Sequence, residues 1–292
     1  MSSNLKASLF MVFSMAGFTI NDALIKSLDG ALPHTQVMGV RGLFLCCLIF
    51  LMLWRQGLLP RFKEAFIPIV GLRASMELAA TFLFLKALFL LPFASISAIL
   101  QALPLVVTLG AALVFREAVG WRRWLAILIG LAGVLVIIRP GTSGFTAASL
   151  LVVFSVFFAA ARDLSTRALP QSIPSLLVTA ATAILVTVFG LTTVWFSGDW
   201  VDLELAHIKK LVLASAFLFV GYHCIILAMR IGEVAYVVPY RYTSLLWSIG
   251  LGYFVFAEVP DGHTLIGSAI VIAMGLFTLY RELVRARQSR QH

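Results

Sequence analysis

Charged residues are scarce in this chain. They make up 12% of its 292 residues, and the mean hydropathy is +1.01. Soluble domains carry about 25% charged residues, so the composition is typical of an integral membrane protein. Long apolar runs fit membrane-spanning helices better than a β-barrel, whose strands alternate apolar and polar residues. We therefore predict an all-α protein that lies in the lipid bilayer.

Several chemical motifs are also absent. The sequence has no Walker A loop, no His-Glu-x-x-His and no Gly-x-Ser-x-Gly, which argues against an ATP-driven pump and against a hydrolase. The three cysteines, Cys46, Cys47 and Cys224, lie inside apolar runs without the spacing of metal ligands or of a disulfide framework. We predict no enzymatic activity, no metal and no cofactor.

What the chain does contain is an internal repeat with an offset of 141 residues. Residues 94–117 form an apolar run that ends in Phe115-Arg116-Glu117, and residues 235–258 form a second run that ends in Phe256-Ala257-Glu258. The same offset pairs Asp22 with Asp163, Pro33 with Pro174, Trp54 with Trp195, Gly57 with Gly198 and Ala87 with Ala228. One ungapped register over nearly the whole length predicts two copies of one unit, residues 1–141 and residues 142–292.

A spanning helix needs about 20 mostly apolar residues, and ten stretches meet this need. They are residues 5–27, 34–54, 66–90, 93–115, 122–139, 147–168, 173–196, 209–231, 233–256 and 263–281. The first has a repeat partner inside the chain, so we interpret it as a span and not as a cleaved signal peptide. Each copy holds five spans, and since five is odd, the second copy enters the membrane from the opposite side. The prediction is a pair of inverted five-helix repeats.

The formal net charge of +9 is better explained by orientation than by nucleic-acid binding. Most lysines and arginines fall in short loops and in the C-terminal tail, on the side that also holds the N-terminus. Because cytoplasmic loops carry an excess of basic residues, we predict that both termini are cytoplasmic.

Inverted repeats are typical of secondary transporters, with the substrate near the midplane where the copies meet. Two similar halves of opposite orientation allow outward-open and inward-open states of similar energy around one fixed site. Some channels also contain such repeats, so a passive channel remains as an alternative of another class.

Polar side chains inside apolar spans are candidates for that site, because a polar group in the bilayer interior is costly unless it is paired or faces a cavity. Two spans carry polar stripes at helical spacing. The stripes contain Ser97, Gln101, Pro104 and Thr108 in one span, and Tyr236, Tyr240, Ser244 and Trp247 in the other, with Arg241 and Tyr242 beside them. Pro104 in the first span and Pro239 in the second remove backbone donors, and the freed carbonyls suit a cavity wall. The alternative role of both stripes is helix packing.

Charged side chains give a second set of candidates. Arg73 and Glu77 lie four residues apart, which suits either an internal ion pair or a substrate role. Arg41 is placed to clamp a carboxylate or to neutralise an acid on a neighbouring helix. His223 suits a proton relay or a structural hydrogen bond. Phe84 is a candidate for an apolar wall.

The pairs Asp22 with Lys26 and Asp163 with Arg167 show the same four-residue spacing in both copies. Because the repeat preserves them, we predict structural ion pairs or gate elements. Glu117 and Glu258 close corresponding spans, where a helix C-terminus disfavours a carboxylate. We expect each to accept from loop amides or from a neighbouring arginine.

Ten spans in two copies, each with the Phe-x-Glu that ends residues 94–117 and residues 235–258, resemble the drug/metabolite transporter superfamily. Within it the chain is similar to EamA-type exporters of bacteria, including exporters of aromatic and other amino acids. The resemblance implies an alternating-access cavity lined by spans one, three, four, six, eight and nine. It places Glu77, Gln101, His223, Tyr240 and Tyr242 along that cavity, in a protein of the bacterial inner membrane.

The leading hypothesis is therefore an exporter of amino acids or similar small metabolites. Gln101 and Arg241 would meet a carboxylate, Glu77 an amine, and the aromatic side chains an apolar part of the substrate. An exporter of cationic drugs is the alternative, in which Glu77 and the aromatic residues would matter. Both facilitated transport and coupling to a proton are compatible with the titratable residues Asp22, Glu77, Asp163 and His223.

Overall fold

The structure is a computed structural model that describes residues 3–116, 120–142, 145–170, 172–231 and 234–288. Side chains are described in these ranges except at residues 230, 234, 235 and 282–288. Glu117, for which the sequence predicted a capping role, lies outside the described residues.

The described residues form helices and connecting turns, without a strand. The helices are α1 Ser3–Lys26, α2 His34–Arg55, α3 Pro68–Leu88, α4 Phe93–Leu100, α5 Leu103–Val114, α6 Trp121–Ile138, α7 Ala148–Arg167, α8 Ser175–Ser197, α9 Leu205–Ile231, α10 Val234–Val237, α11 Thr243–Phe256 and α12 Gly262–Gln288. Two short 3-10 helices cover Leu59–Ala65 and Val238–Tyr242. Within the described ranges, nine stretches are long and apolar enough to cross a membrane.

Two of the predicted spans are broken near their middle. The first, residues 93–115, consists of α4 and α5 with a turn at Gln101 and Ala102 between them. Pro104 stands in the first turn of α5, where its missing N–H needs no helical partner. In a continuous helix through residues 93–115 the same proline would lie in the interior, where it breaks the helix. The second, residues 233–256, is divided into α10, a 3-10 turn that contains Pro239, and α11. This stretch is not among the nine of the described ranges, whereas residues 93–114 are counted there despite their turn.

The main helix contacts join elements that are far apart in sequence. α1 packs on α9, α3 on α7, α2 on α8 and α6 on α12. The repeat offset of 141 residues relates α1 to α7, α3 to α9, α2 to α8 and α6 to α12. The α1–α9 contact is therefore the repeat partner of the α7–α3 contact, and the α2–α8 and α6–α12 contacts each join two helices that are repeat partners. The contact pattern therefore follows the sequence repeat.

The α2–α8 contact is a close approach of two backbones. A Cβ atom added at Gly190 would lie 2.6 Å from the backbone nitrogen of Gly39 and 2.8 Å from the carbonyl oxygen of Thr35. Only glycine fits at Gly190 without moving a helix, in the manner of small-residue contacts between membrane helices.

Large apolar side chains cover the outside of the bundle. Trp195, Phe196 and Phe254 are 74%, 86% and 84% exposed. A water-soluble monomer seldom exposes contiguous apolar surface on this scale, whereas lipid tails accept it. The fold is thus that of a multi-pass membrane protein.

The two ends of the bundle are held by different contacts. At the end where α1 finishes, named here the Lys26 end, Lys26 Nζ lies 3.3 Å from Glu258 Oε1, and Arg139 pairs with Asp261. Burial would raise the pKa of the Asp261 carboxyl, but hydrogen bonds from Thr264 and the charge of Arg139 hold that pKa below its usual value. At the opposite end, named the Arg61 end, Arg61 donates to the carbonyl of Ser172 over 3.0 Å.

Candidate functional site

A cavity of about 180 Å³ lies in the middle of the bundle, between α1, α2, α3, α8 and α9. We name it the central cavity. Four charged side chains line it, namely Asp22, Arg41, Arg73 and Glu77, together with Asn21, Leu45, Thr81, Phe84, Thr179, Thr182, Ala183, Val186, Leu218 and Tyr222. Charged groups at this depth of a membrane bundle mark a functional site by default.

One network in the cavity joins α1 to α2 through an amide. Arg41 Nη1 donates to Asn21 Oδ1 over 3.2 Å, and Asn21 Nδ2 donates to Asp22 Oδ1 over 2.8 Å. Arg41 is only 8% exposed, and among the described residues its Nε has no hydrogen-bond partner. The guanidinium therefore keeps an unused donor in a buried place.

A second network joins the two halves of the chain. Arg162 Nη1 lies 2.8 Å from Glu77 Oε2, and Arg162 Nη2 lies 2.8 Å from Asp163 Oδ1. One guanidinium on α7 thus compensates a carboxylate on α3 and a carboxylate on its own helix. Such charge-assisted bonds fix the orientation of both partners.

The expected pairing of Arg73 with Glu77 is replaced by other contacts. Glu77 binds Arg162, as just described, while Arg73 donates from Nε to Thr166 Oγ1 over 2.9 Å and from Nη1 to Thr182 Oγ1 over 2.6 Å. The reason is that α3 packs between α7 and α8, which offer Arg73 and Glu77 partners closer than one helical turn along α3.

The charged side chains that line the central cavity balance in number, with Arg41 and Arg73 against Asp22 and Glu77. Arg162 lies outside the lining and is balanced by Glu77 and Asp163. Within the lining, Arg41 is the guanidinium that keeps a donor without a partner among the described residues, so a group with a negative charge is favoured beside it.

A larger compartment of about 620 Å³ adjoins the central cavity, between α2, α8 and α9. The two share Leu45, Thr179 and Tyr222 as lining residues. The compartment continues along Gln56 and Pro174 toward the Arg61 end. His223 lines this larger compartment, which we name the side compartment. Its size is that of pockets for drug-sized ligands, which measure about 300–1,000 Å³.

A third cavity of about 200 Å³ lies between α5, α7, α12 and the 3-10 turn. Asp163, Arg241 and Tyr242 line it. Asp163 therefore faces this cavity, while its repeat partner Asp22 faces the central cavity.

The polar stripes of the two broken spans divide between different roles. Gln101 Nε2 donates to the carbonyl of Tyr242 over 3.3 Å and to Ser244 Oγ over 3.0 Å, so Gln101 and Ser244 join the two breaks to each other. Tyr240 packs against an apolar cluster with Met11 and Met15. Tyr236 and Trp247 lie on the outside, 57% and 40% exposed. Ser97, which is half-buried in α4, is not among the described lining residues of the three cavities.

The residues expected in gate pairs contact other partners. Lys26 binds Glu258 and donates to the carbonyls of Leu88 and Leu91, and Asp22 accepts from Asn21. The guanidinium of Arg167 lies 5.3 Å from the ring centre of Phe115. Glu258 also accepts from the backbone N–H of Phe93, the first residue of α4, over 2.6 Å, where the sequence predicted a loop amide or an arginine as its partner.

Two central residues, Asn21 and Arg162, were missed by the sequence reasoning. They are repeat partners, and each immediately precedes the repeated aspartate. An arginine within an apolar span, aligned with an asparagine beside Asp22, was the signal that would have found them. Within the described ranges, no group of three or more His, Cys, Asp and Glu side chains is placed to hold a metal ion.

Comparison with known proteins identifies the family. The sequence profile of the EamA-like transporter family matches residues 5–139 and matches again over residues 146–280. A solved crystal structure superposes on the fold with a TM-score of 0.68 at 18% identity, over 96% of this chain and 98% of the other. That likeness concerns the fold alone.

Three relatives show which kinds of protein resemble the chain. The riboflavin transporter of Vibrio cholerae is 29% identical over 66% of this chain and 64% of its own length, so the chain spans slightly less than two thirds of that relative. The S-adenosylmethionine uptake transporter of Rickettsia prowazekii is 24% identical over 94% of this chain and 92% of its own. The pseudopaline exporter of Pseudomonas aeruginosa is 22% identical over 90% and 92%.

All three relatives are transporters, and two of them align with this chain over nearly its full length. The family profile covers both halves of the chain. The chain belongs to the EamA-like transporter family of the drug/metabolite transporter superfamily, a family of membrane transporters rather than enzymes.

Proposed function

We propose that the chain is a secondary transporter that moves amino acids or related small metabolites across the bacterial inner membrane by alternating access. The observation that carries this proposal is the central cavity, where charged side chains of the spans meet and Arg41 keeps an unused donor near Asp22. Buried charges are costly unless they serve a bound group or a partner. The mechanism that follows is binding and release, without covalent chemistry.

Ten spans in two inverted halves, residues 1–141 and 142–292, provide the moving parts. Support comes from the two matches of the family profile and from helix contacts that map onto one another at the offset of 141. The stretch 234–256 is span nine in this proposal and brings the number of spans to ten. It is divided at Pro239, as residues 93–114 are divided at Gln101. The substrate then binds where the halves meet.

The contacts at the two ends favour an inward-facing arrangement. At the Lys26 end, ion pairs tie the end of α1 to the loop after α11 and the end of α6 to the loop before α12. The side compartment extends from the central cavity toward the Arg61 end. With both termini cytoplasmic, the Arg61 end is the cytoplasmic one. In the outward-facing state the Lys26 end opens and the side compartment closes.

The candidate residues take distinct roles in this proposal. Arg41 and Phe84 contact the substrate in the central cavity, where Glu77 lines the wall as the partner of Arg162. His223 contacts the substrate in the side compartment. Arg241 and Tyr242 line the cavity around Asp163. Gln101 and Ser244 hold the broken spans together, and Lys26 closes one end.

The chemical class of the substrate is supported by the unused Nε donor of Arg41, which suits a carboxylate better than a cationic drug. Relatives named for S-adenosylmethionine and for pseudopaline are compatible with metabolites that contain amino and carboxyl groups. Export is the direction that we propose from the resemblance to amino-acid exporters, and the same relatives include both uptake and export.

The decisive experiment is uptake of a labelled amino-acid panel into proteoliposomes, with and without an imposed pH gradient. Saturable uptake that ignores the gradient supports a facilitating carrier. Accumulation driven by the gradient supports proton coupling. Uptake of the whole panel no faster than in protein-free liposomes contradicts the proposed function, and single-channel conductance in a planar bilayer would replace it with a channel.

The proposed topology is tested with reporter fusions. Fusion of green fluorescent protein after residue 292 is expected to fluoresce, and alkaline phosphatase fused after residue 142 is expected to be active. Active phosphatase at residue 292 would contradict the cytoplasmic C-terminus.

A further inference from the structure

The amide of Asn21 connects two opposite charges in the central cavity. Its Oδ1 accepts from the Arg41 guanidinium over 3.2 Å, and its Nδ2 donates to the Asp22 carboxylate over 2.8 Å. Asn21 is neutral, so neither charge is compensated by Asn21 itself. Arg41 is buried and retains the Nε donor, for which the described residues offer no partner.

The other charged side chains of the cavity are engaged more completely. Glu77 shares Arg162 with Asp163 at 2.8 Å for both contacts, and two threonine hydroxyls accept from Arg73. A ligand that used Glu77 as its anionic partner would compete with an ion pair. Arg41 and Asp22 are the cation and the anion of the cavity that a ligand can bind without breaking an ion pair.

From this arrangement we propose that Arg41, Asn21 and Asp22 form a head-group site for zwitterions that carry a carboxylate next to an ammonium group. The inference rests on the proposed transport function and specifies how its substrate is recognised. The substrate carboxylate accepts from Arg41, including Nε, and the ammonium donates to Asp22. Like the Asn21 amide, the ligand accepts a hydrogen bond from Arg41 and donates one to Asp22. Its groups carry full charges, which make both hydrogen bonds stronger.

The remainder of the substrate has a separate place. Tyr222, Leu45 and Thr179 line both the central cavity and the side compartment. A substituent on a head group at Arg41 therefore extends past these residues into about 620 Å³ that is lined mainly by apolar side chains. Strict recognition of the head group is thereby combined with tolerance of large side chains.

The inference is tested by competition binding to the full-length protein in nanodiscs. Two matched sets of probes remove one charge at a time. They are L-phenylalanine with 3-phenylpropionate and phenethylamine, and L-methionine with 4-(methylthio)butanoate and 3-(methylthio)propylamine. Each amino acid is expected to compete at least tenfold better than either analogue with a single charge.

Variants assign the two contacts. Arg41→Gln is expected to weaken amino-acid binding at least tenfold and to abolish the preference over the amine analogue. Asp22→Asn is expected to abolish the preference over the acid analogue. Arg41→Lys keeps the charge and is expected to retain part of the affinity, which separates loss of the contact from loss of the fold. Arg55→Gln, at the exposed end of α2, and Asp29→Asn, in an exposed turn, are the matched controls and are expected to bind as the parent does.

The outcomes distinguish this inference from the proposed function. Saturable amino-acid transport with equal competition by an amine or an acid alone would overturn the head-group site and leave the transporter standing. The head-group site is likewise overturned, and the transporter kept, if folded Arg41→Gln retains both affinity and selectivity. Absence of transport for every zwitterion in the proteoliposome panel overturns both.

Discussion

At the scale of single residues, Arg162 is the half-buried side chain that compensates two carboxylates. It compensates Glu77 across the interface between halves and Asp163 on its own helix. Removing one partner of a buried ion pair leaves an uncompensated charge, whereas removing both often costs little. The two partners of Arg162 are therefore expected to respond unequally to substitution.

Arg162→Gln is expected to lower the free energy of unfolding by up to about 3 kcal/mol, because two carboxylates lose their counter-ion at a half-buried position. Glu77→Gln is expected to cost less, since Arg162 keeps Asp163, and the double variant is expected to be more stable than Arg162→Gln alone. Thermal unfolding in detergent measures all three. Equal melting temperatures for parent and Arg162→Gln would show that the pair contributes nothing.

Partner choice is the part of the site that the sequence did not disclose. Spacing by four residues predicts neighbours on one helix, and it suggested Arg73 with Glu77 and Asp22 with Lys26. The structure joins Glu77 to Arg162 and Lys26 to Glu258, across 85 and 232 residues of sequence. Contacts between helices depend on how the helices pack, which helical spacing along one span does not contain.

At the scale of elements, the two broken spans support each other. Gln101 at the break between α4 and α5 donates to the carbonyl of Tyr242 and to Ser244 at the other break. Backbone carbonyls that a break frees need a donor inside a membrane. The side chain of Gln101 supplies one from the opposite half.

Gln101→Leu is therefore expected to lower the free energy of unfolding by about 1–3 kcal/mol, because the buried carbonyl of Tyr242 loses its side-chain donor. Ser244→Ala keeps that donor and is expected to cost about 0.5–1.5 kcal/mol, the worth of one ordinary hydrogen bond. Melting temperatures in the same detergent compare them. A cost of Ser244→Ala that exceeds that of Gln101→Leu would refute this account.

The Lys26 end has a latch that combines charge with a backbone cap. Glu258 accepts from Lys26 and from the N–H of Phe93. Lys26 also donates to the carbonyl of Leu88, at the end of α3, and to that of Leu91 in the following loop. Glu258→Gln keeps an acceptor for Phe93 but removes the charge. We expect this change to open the Lys26 end more often.

Opening is measured by maleimide labelling of Ser95→Cys in a background without Cys46, Cys47 and Cys224. Severalfold faster labelling is expected with Glu258→Gln. Asp261→Asn, at the same end but paired with Arg139, is the control for a general loosening. Unchanged labelling with Glu258→Gln would exclude the latch.

Most spans were predictable because each needs only a run of apolar residues long enough to cross the bilayer. The bounds of α2 and α8, His34–Arg55 and Ser175–Ser197, lie close to those expected from residues 34–54 and 173–196. The position of each break was harder to predict, because apolar residues continue on both sides of it and the whole stretch stays long enough to span. Pro104 and Pro239 were the available signals.

At the scale of the whole molecule, the halves are held together where backbones touch. Gly190→Ala is expected to destabilise the fold by about 1–3 kcal/mol, because the added methyl group meets backbone atoms of Gly39 and Thr35. Gly250→Ala, in α11 with open space around the position, is expected to be neutral or to gain up to about 1 kcal/mol from helix propensity. Thermal unfolding of the two variants checks the difference. Equal stability would contradict a tight α2–α8 contact.

Cys46 lies 3.6 Å from Thr187, and these two positions are repeat partners at the offset of 141. Two repeat partners that touch lie on the axis that relates the proposed halves. When the two halves exchange conformations, the distance between Cys46 and Thr187 therefore stays the same. A short crosslink between Cys46 and Thr187→Cys therefore does not restrain the motion of the halves, and transport is expected to continue. The same reagent between Lys26→Cys and Glu258→Cys spans a distance that must change in every cycle, and it is expected to stop turnover.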